Sequence, residues 1–302
     1  MKIPDFQTIM LPLLQQTADK EVHTNRELKD TLADHFELST EERQELLPSG
    51  QQSVFHNRVA WAKTYMERAG LIETISRGHF TITNRGIEVL ESAVDRIDNN
   101  FLLQFPEYRE FRSPNKINDE EDQVNEKNDI ETPEEAFQTA YKQIREDLSA
   151  NLVTQIKKMT PVFFEKLVLD LMLAMGYGGS QDTAGALTVA GADEGIDGVI
   201  NEDQLGLDIV YLQAKRWENP VGRPEIQKFV GALHGKRARK GVFLTTSTFS
   251  REAHQYVETI DPKVVLIDGN RLAQLMIDFN VGVSTAQSYF IKRIDSDYFI
   301  ED

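Results

Sequence analysis

The sequence predicts a two-domain chain of the α+β / α/β multidomain class. A small helical domain closing on a β-hairpin precedes a larger domain whose mixed β-sheet is flanked by helices. Three observations predict this. A length of 302 residues suits two ordinary hydrophobic cores. Apolar residues follow helical spacing with one alternating hairpin before residue 92, and alternating strand and helix segments after residue 136. Between these, Glu91 to Glu135 hold 14 acidic residues against five basic ones, a net of −9, with few apolar anchors after Phe111. The expected boundaries are 1–92, a linker at 93–135 and 136–302. The linker follows because so polar a segment buries too little to offset its ordering entropy.

Composition excludes several classes. The chain has no cysteine, which rules out disulfides, thiolate zinc sites and a cysteine nucleophile. No stretch approaches the roughly 18 apolar residues of a membrane span. Met1 to Leu14 carries Asp5, a single lysine and no small-residue cleavage site, so no signal peptide is expected and the cytoplasm is the default location. A net charge of −16 argues at first against a nucleic-acid partner. The acid, however, is concentrated between the domains. Gln51 to Gly86 carries Arg58, Lys63, Arg68, Arg77 and Arg85 against Glu67 and Glu73. Tyr211 to Ala253 carries nine basic residues against three acidic ones. Both stretches remain locally basic.

In the first domain, Thr24-Asn25-Arg26-Glu27 and Ser39-Thr40-Glu41-Glu42 are capping boxes, each opening a short helix. After Pro48-Ser49-Gly50 a longer helix runs from Val54 to Arg68. Asn57, Arg58 and Lys63 fall away from its Trp61/Tyr65 stripe. Leu71 to Thr83 alternates apolar and polar residues about Arg77-Gly78, a hairpin signal, and Asn84 is expected to cap a last helix, Gly86 to Ser92. Helices, a longer helix, a hairpin with a basic tip and a closing helix make a winged helix, a variant of the DNA-reading helix-turn-helix plan. A small helical dimerisation domain is the alternative.

In the second domain a helix is expected from Ala136 to about Met159. Thr160 as N-cap and Pro161 at N1 open another, which Gly176 stops. Past a Gly-rich stretch (178–195), strands are expected at 196–200, 209–214, 241–246 and 263–267, and helices at 224–235, 250–260 and 270–279.

Three features of this domain bear on chemistry. Asp197 interrupts an apolar strand between Gly195-Ile196 and Gly198-Val199-Ile200, where a carboxylate is costly unless paired or metal-bound. Alone, it reads as a turn aspartate. In Val210-Tyr211-Leu212-Gln213-Ala214-Lys215, alternation puts Val210, Leu212 and Ala214 on one face and Tyr211, Gln213 and Lys215 on the other. An amide and an ammonium thus project side by side, although alone the segment reads as an edge strand with a solvated face. Glu165 lies in the helix after Thr160, whose wet face is marked by Lys166 and Asp170. At about 100° per residue, Glu165 points off that face, toward the protein or the edge of a cleft.

Together, Phe164-Glu165, Gly195-Ile196-Asp197-Gly198, Gln213-Ala214-Lys215-Arg216 and Val221-Gly222-Arg223-Pro224-Glu225-Ile226-Gln227 resemble the PD-(D/E)XK nuclease superfamily. More closely, they resemble the Mrr family of modification-dependent (type IV) restriction endonucleases. The resemblance covers nearly the whole chain, because that family also joins a winged helix to this catalytic domain. It implies a restriction-endonuclease-like fold for 136–302. It also implies Asp197 as the metal-binding aspartate, Gln213 at the position often held by Asp or Glu, Lys215 as the motif lysine and Glu165 as the helical glutamate. Ile196 stands where the superfamily has proline. The implied cofactor is Mg²⁺, with Mn²⁺ as a substitute, held by Asp197, Gln213, Glu165 and the Ala214 carbonyl. Gln213 gives a neutral oxygen and so less charge to hold the ion.

Candidate DNA contacts are Asn57, Arg58, Lys63 and Arg77 in the first domain and Arg216, Arg223 and Gln227 in the second. Lys236, Arg237, Arg239, Lys240 and the hydroxyls of Thr245-Thr246-Ser247 are further candidates for phosphate. The implied function is hydrolysis of phosphodiester bonds in methylated foreign double-stranded DNA, at the nucleoid. Cutting two strands needs two active sites, so a homodimer or homotetramer is expected. A junction-resolvase-like repair nuclease and a non-cleaving DNA-binding regulator are the alternatives.

Overall fold

A computed structural model describes residues 3–112, 130–178, 195–203, 205–292 and 294. Most of the expected Gly-rich stretch (179–194) and the most acidic part of the expected linker (113–129) lie outside the described residues. The chain divides into two compact units, the first comprising Met1–Lys142 with the segment from Lys292 and the second Gln143–Ile291. Among the described residues no helix is long and apolar enough to cross a membrane.

The first unit begins with α1 (Phe6–Gln16), capped by Asp5, and β1 (His23–Thr24). Helices α2 (Asn25–His35) and α3 (Thr40–Gln44) follow, and both expected capping boxes form, Thr24 with Glu27 and Ser39 with Glu42. Next come α4 (Val54–Arg68), β2 (Ile72–Ser76), β3 (His79–Ile82) and α5 (Asn84–Glu91). The three strands form an antiparallel sheet in the order β1-β3-β2, turning at Gly78, where φ is +77°. The cap of α5 is Thr83, whose hydroxyl accepts from the Gly86 N–H, and not Asn84. Thr83 has extended backbone and Asn84 is already helical, so only Thr83 can take that role.

The expected linker is shorter than 93–135. Helices α6 (Asn99–Leu102) and α7 (Pro106–Arg112) bury Leu102 and Tyr108, with Ile97, in the first unit's core. The Tyr108 hydroxyl donates to Asn99 Oδ1 at 2.8 Å, and the Asn99 N–H donates to Gln7 of α1. At the far end Thr132 and Glu135 form a third capping box, which opens α8 (Pro133–Lys158). That helix starts at Pro133 instead of Ala136.

In the second unit α8 continues to Lys158, and Thr160 caps α9 (Pro161–Ala174). Strands β4 (Gly198–Asn201) and β5 (Ile209–Lys215) pair antiparallel, with Gly198 opposite Leu212. Helix α10 (Arg223–Gly235) leads to β6 (Lys240–Thr245), then α11 (Arg251–Val257), β7 (Lys263–Ile267) and α12 (Gly269–Asp278). The order is β4-β5-β6-β7, and β5, β6 and β7 are parallel. The sheet is therefore mixed, and β5 is central rather than an edge.

Alternation along β5 divides two cores. Val210, Leu212 and Ala214 pack with α9 and α12, while Tyr211 lies against the cluster of Phe229, Val230 and Leu233 from α10. Helices on both faces leave the C-terminal end of β5 as the place where polar side chains can emerge.

Candidate active site

The site is built where β4 begins and β5 ends. The Asp197 N–H donates to the Leu212 carbonyl at 2.9 Å, which ties the aspartate to the central strand. Its Oδ2 accepts from the Ala214 N–H at 2.8 Å and from the Gln213 side-chain amide. Gln213 is 2% exposed, so this contact fixes a buried amide. Gly195 has φ +90°, and a Cβ on it would stand 3.2 Å from Gln213 Oε1. Both its backbone and its crowding against Gln213 favour glycine at that position.

Lys215 follows Gln213 by two residues and shares its face. The two line a cleft of about 440 Å³. Thr245 donates its hydroxyl to the Lys215 carbonyl at 2.8 Å, which fixes the strand end that carries the ammonium. Glu165 of α9 lies near enough to feel both other charges. Burial, and then repulsion from Asp197, push its carboxyl above the ordinary range, with Lys215 opposing. The structure thus brings together Asp197, Gln213, Lys215 and Glu165.

The donor set fits a hard divalent cation. Two carboxylates that repel one another sit beside a neutral amide, and an added positive charge relieves that repulsion. The Ala214 carbonyl suits it as well, because a residue in a strand directs its N–H and C=O to the same side, and the Ala214 N–H faces Asp197. Among the described residues no group of three His, Cys, Asp or Glu side chains is placed to hold a metal ion.

The strain at Glu165 is testable without DNA. Its folded pKa lies above the ordinary 4.5, so between those values the folded state binds more protons than the unfolded one. Stability is therefore lost as pH rises through that window. Glu165→Gln should raise the melting temperature at pH 7 in chelator and raise it less at acid pH. A gain of the same size at both pH values would contradict the raised pKa.

The candidate DNA contacts divide. Asn57 is buried, accepting from the Thr132 hydroxyl, and Arg58 is taken by Glu135 and by the carbonyls of Ile3 and Pro4. Both are structural, contrary to expectation. Lys63 donates to Asn25 Oδ1 and lies 4.4 Å from the Phe80 ring centroid, and its burial pushes the ammonium pKa down. Arg77 is exposed at the hairpin tip. In the second unit Arg223 and Gln227 are exposed, with Arg223 stacked over Tyr256. Arg216 donates to the Lys157 carbonyl at 2.7 Å, and its Nε is buried with no hydrogen-bond partner among the described residues.

Lys240 is not available for phosphate. It joins Glu202 and Asp208 across the β4–β5 turn, and both carboxylates hold its pKa up. Nor do the hydroxyls of Thr245, Thr246 and Ser247 face outward. They donate to the carbonyls of Lys215, Trp217 and Glu218, so they fix the chain that leaves β5. Sequence reasoning missed this brace, for which a buried hydroxyl run at a strand end is the available signal.

Comparison with known proteins follows the same division. A family model described as "Restriction endonuclease" matches residues 156–276, and one described as "Mrr N-terminal domain" matches residues 6–92. The chain is 35% identical over 309 residues to the type IV methyl-directed restriction enzyme EcoKMrr of Escherichia coli (strain K12). That match covers 99% of this chain and all of the relative. Among solved structures, the DNA modification-dependent restriction endonuclease AspBHI aligns with a TM-score of 0.36 and 23% identity, over 46% of this chain and 36% of that one. The MspJI restriction endonuclease in complex with a 27-mer oligonucleotide aligns with a TM-score of 0.28 and 17% identity, over 68% of this chain and 51% of that one.

Proposed function

This chain belongs to the Mrr family of type IV restriction endonucleases, and we propose that it hydrolyses phosphodiester bonds of methylated double-stranded DNA with Mg²⁺. The observation that carries the proposal is the grip of Gln213 and the Ala214 N–H on Asp197, with Lys215 on the same strand face.

Asp197, Gln213, Glu165 and the Ala214 carbonyl would hold the ion. The chemistry a divalent ion supplies at such a site is polarisation of the phosphoryl group and acidification of water. The protein does the rest. Gln213 and the Ala214 N–H aim the Asp197 carboxylate by donating to its Oδ2. The Lys215 ammonium, with no hydrogen bond or ion pair among the described residues, orients the attacking water or meets the charge developing on the phosphate. Glu165 sits at the edge of the site as a second acid.

We assign target location to the first unit, read as a winged helix. Its helix order, its three-stranded sheet and the exposed Arg77 at the hairpin tip support that reading. Two copies acting together would cut both strands.

The test is cleavage of methylated and unmethylated plasmid, with Mg²⁺ and with chelator. Cutting confined to methylated plasmid with Mg²⁺ is the expected result. Equal cutting of both would remove the methyl specificity, and cutting in chelator would remove the metal.

A further inference from the structure

The cleft beside Gln213 and Lys215 has a second wall, which the chemistry above does not use. Helix α10 supplies it, through Glu225, Lys228 and Gly231. Phe229 and Phe243 also line it, both essentially buried. The cleft is thus lined by polar side chains from both β5 and α10.

Two features of the helical wall are unexplained by folding. Lys228 is 72% exposed and is held by Glu225, one turn earlier, at 2.6 Å. With the ammonium so exposed the pair adds little to stability, yet it holds a positive charge in the lining of the cleft that Lys215 also lines. Gly231 lies inside a helix, where glycine is less favourable than alanine. Its φ is not positive, and a Cβ there would meet no atom within 4 Å. Neither backbone nor packing calls for glycine, so what its absent side chain provides is room in the cleft.

We propose that α10 is a DNA-strand wall: Lys228 takes a phosphate flanking the scissile one, Glu225 positions that lysine, and Gly231 leaves space for the strand. Gln227, which the sequence singled out on this helix, is not among the residues lining the cleft. The inference rests on the nuclease reading and extends it. Glu225 holds the ammonium while no strand is present, and releases it to a phosphate oxygen, which accepts a charge-assisted hydrogen bond of the same kind. Positive charge then lies on both sides of the strand, Lys215 on one and Lys228 on the other.

The test uses the full chain and a methylated duplex, with Ca²⁺ in place of Mg²⁺ to read binding and Mg²⁺ to read cleavage. Lys228→Gln should lower the slope of log affinity against log salt by about 0.9, the value of one phosphate contact. A merely structural lysine would leave that slope unchanged. Substitutions at Gly231 should act by volume: Gly231→Ala weakens binding slightly while raising the melting temperature, and Gly231→Leu weakens binding and cleavage at least about tenfold with the fold intact. An unchanged slope in Lys228→Gln, or full cleavage by a folded Gly231→Leu, overturns the proposal while wild-type cutting stands. Wild type that neither binds nor cuts the duplex sinks the nuclease reading, and this one with it.

Discussion

Replacing Asp197 with alanine should abolish DNA cleavage and leave DNA binding in place. Two donors grip the carboxylate at once, the Gln213 amide and the Ala214 N–H. Without it the site keeps one acid, Glu165, a neutral amide and a lysine, which is too little negative charge to retain a divalent ion. The cleavage rate should fall by about 10³-fold or more. Asp197→Asn separates charge from shape, since an amide oxygen still accepts from the Ala214 N–H. It should be as inactive as alanine and more stable. The alanine variant leaves two donors unpaired, at about 1–3 kcal/mol each. Single-turnover cleavage, thermal unfolding and DNA binding in Ca²⁺ on both variants check this. Retained cleavage by Asp197→Asn would place the essential negative charge at Glu165 instead.

Local signals in the sequence were legible and tertiary ones were not. Thr24, Ser39 and Thr160 cap helices because a side-chain oxygen, an extended residue and free N–H groups lie within four residues of one another. Thr132-Pro133-Glu134-Glu135 has the same form and makes the same box. The surrounding acidic run obscures it, because a charge count is blind to which carboxylates are satisfied. Alternation along β5 was enough to set Gln213 beside Lys215, and the register of β4 then delivers Asp197 to Gln213. The fate of Lys240 was not legible. It depends on the β4–β5 turn carrying Glu202 and Asp208 to β6, a contact more than 30 residues apart in sequence. On α4 the fully buried stripe is Phe55, Val59, Ala62 and Met66, with Trp61 only half-buried and donating its N–H to Glu134. Reading Trp61 and Tyr65 as the centre of the core face turned Asn57 and Arg58 toward solvent, whereas the start of α8 covers them.

Removing the Arg58 side chain should therefore destabilise the first unit. Its Nε and one terminal nitrogen donate to Glu135 Oε1 at 2.9 and 2.8 Å, and the other terminal nitrogen donates to the Ile3 and Pro4 carbonyls at 2.7 and 3.1 Å. The two side chains are 15% and 11% exposed, so a lone Glu135 would be stranded away from water. Breaking a buried pair in this way costs about 3–5 kcal/mol, and for a domain of this size that is a fall in melting temperature of roughly 10 °C. Removing Glu135 as well should recover part of the loss, because much of the cost is the abandoned carboxylate. A DNA contact makes the opposite forecast: Arg58→Ala would melt like wild type and lose about 0.9 from the salt slope of binding. Melting curves of Arg58→Ala and of the double variant, beside salt-dependent binding at a temperature where both are folded, separate the two. The same reasoning narrows the basic patch. Of its five cations, Arg58 is engaged by Glu135, Lys63 by Asn25 and Phe80, and Arg85 by Glu107. Arg68 and Arg77 are both exposed, Arg68 over the Phe111 ring and Arg77 at the hairpin tip.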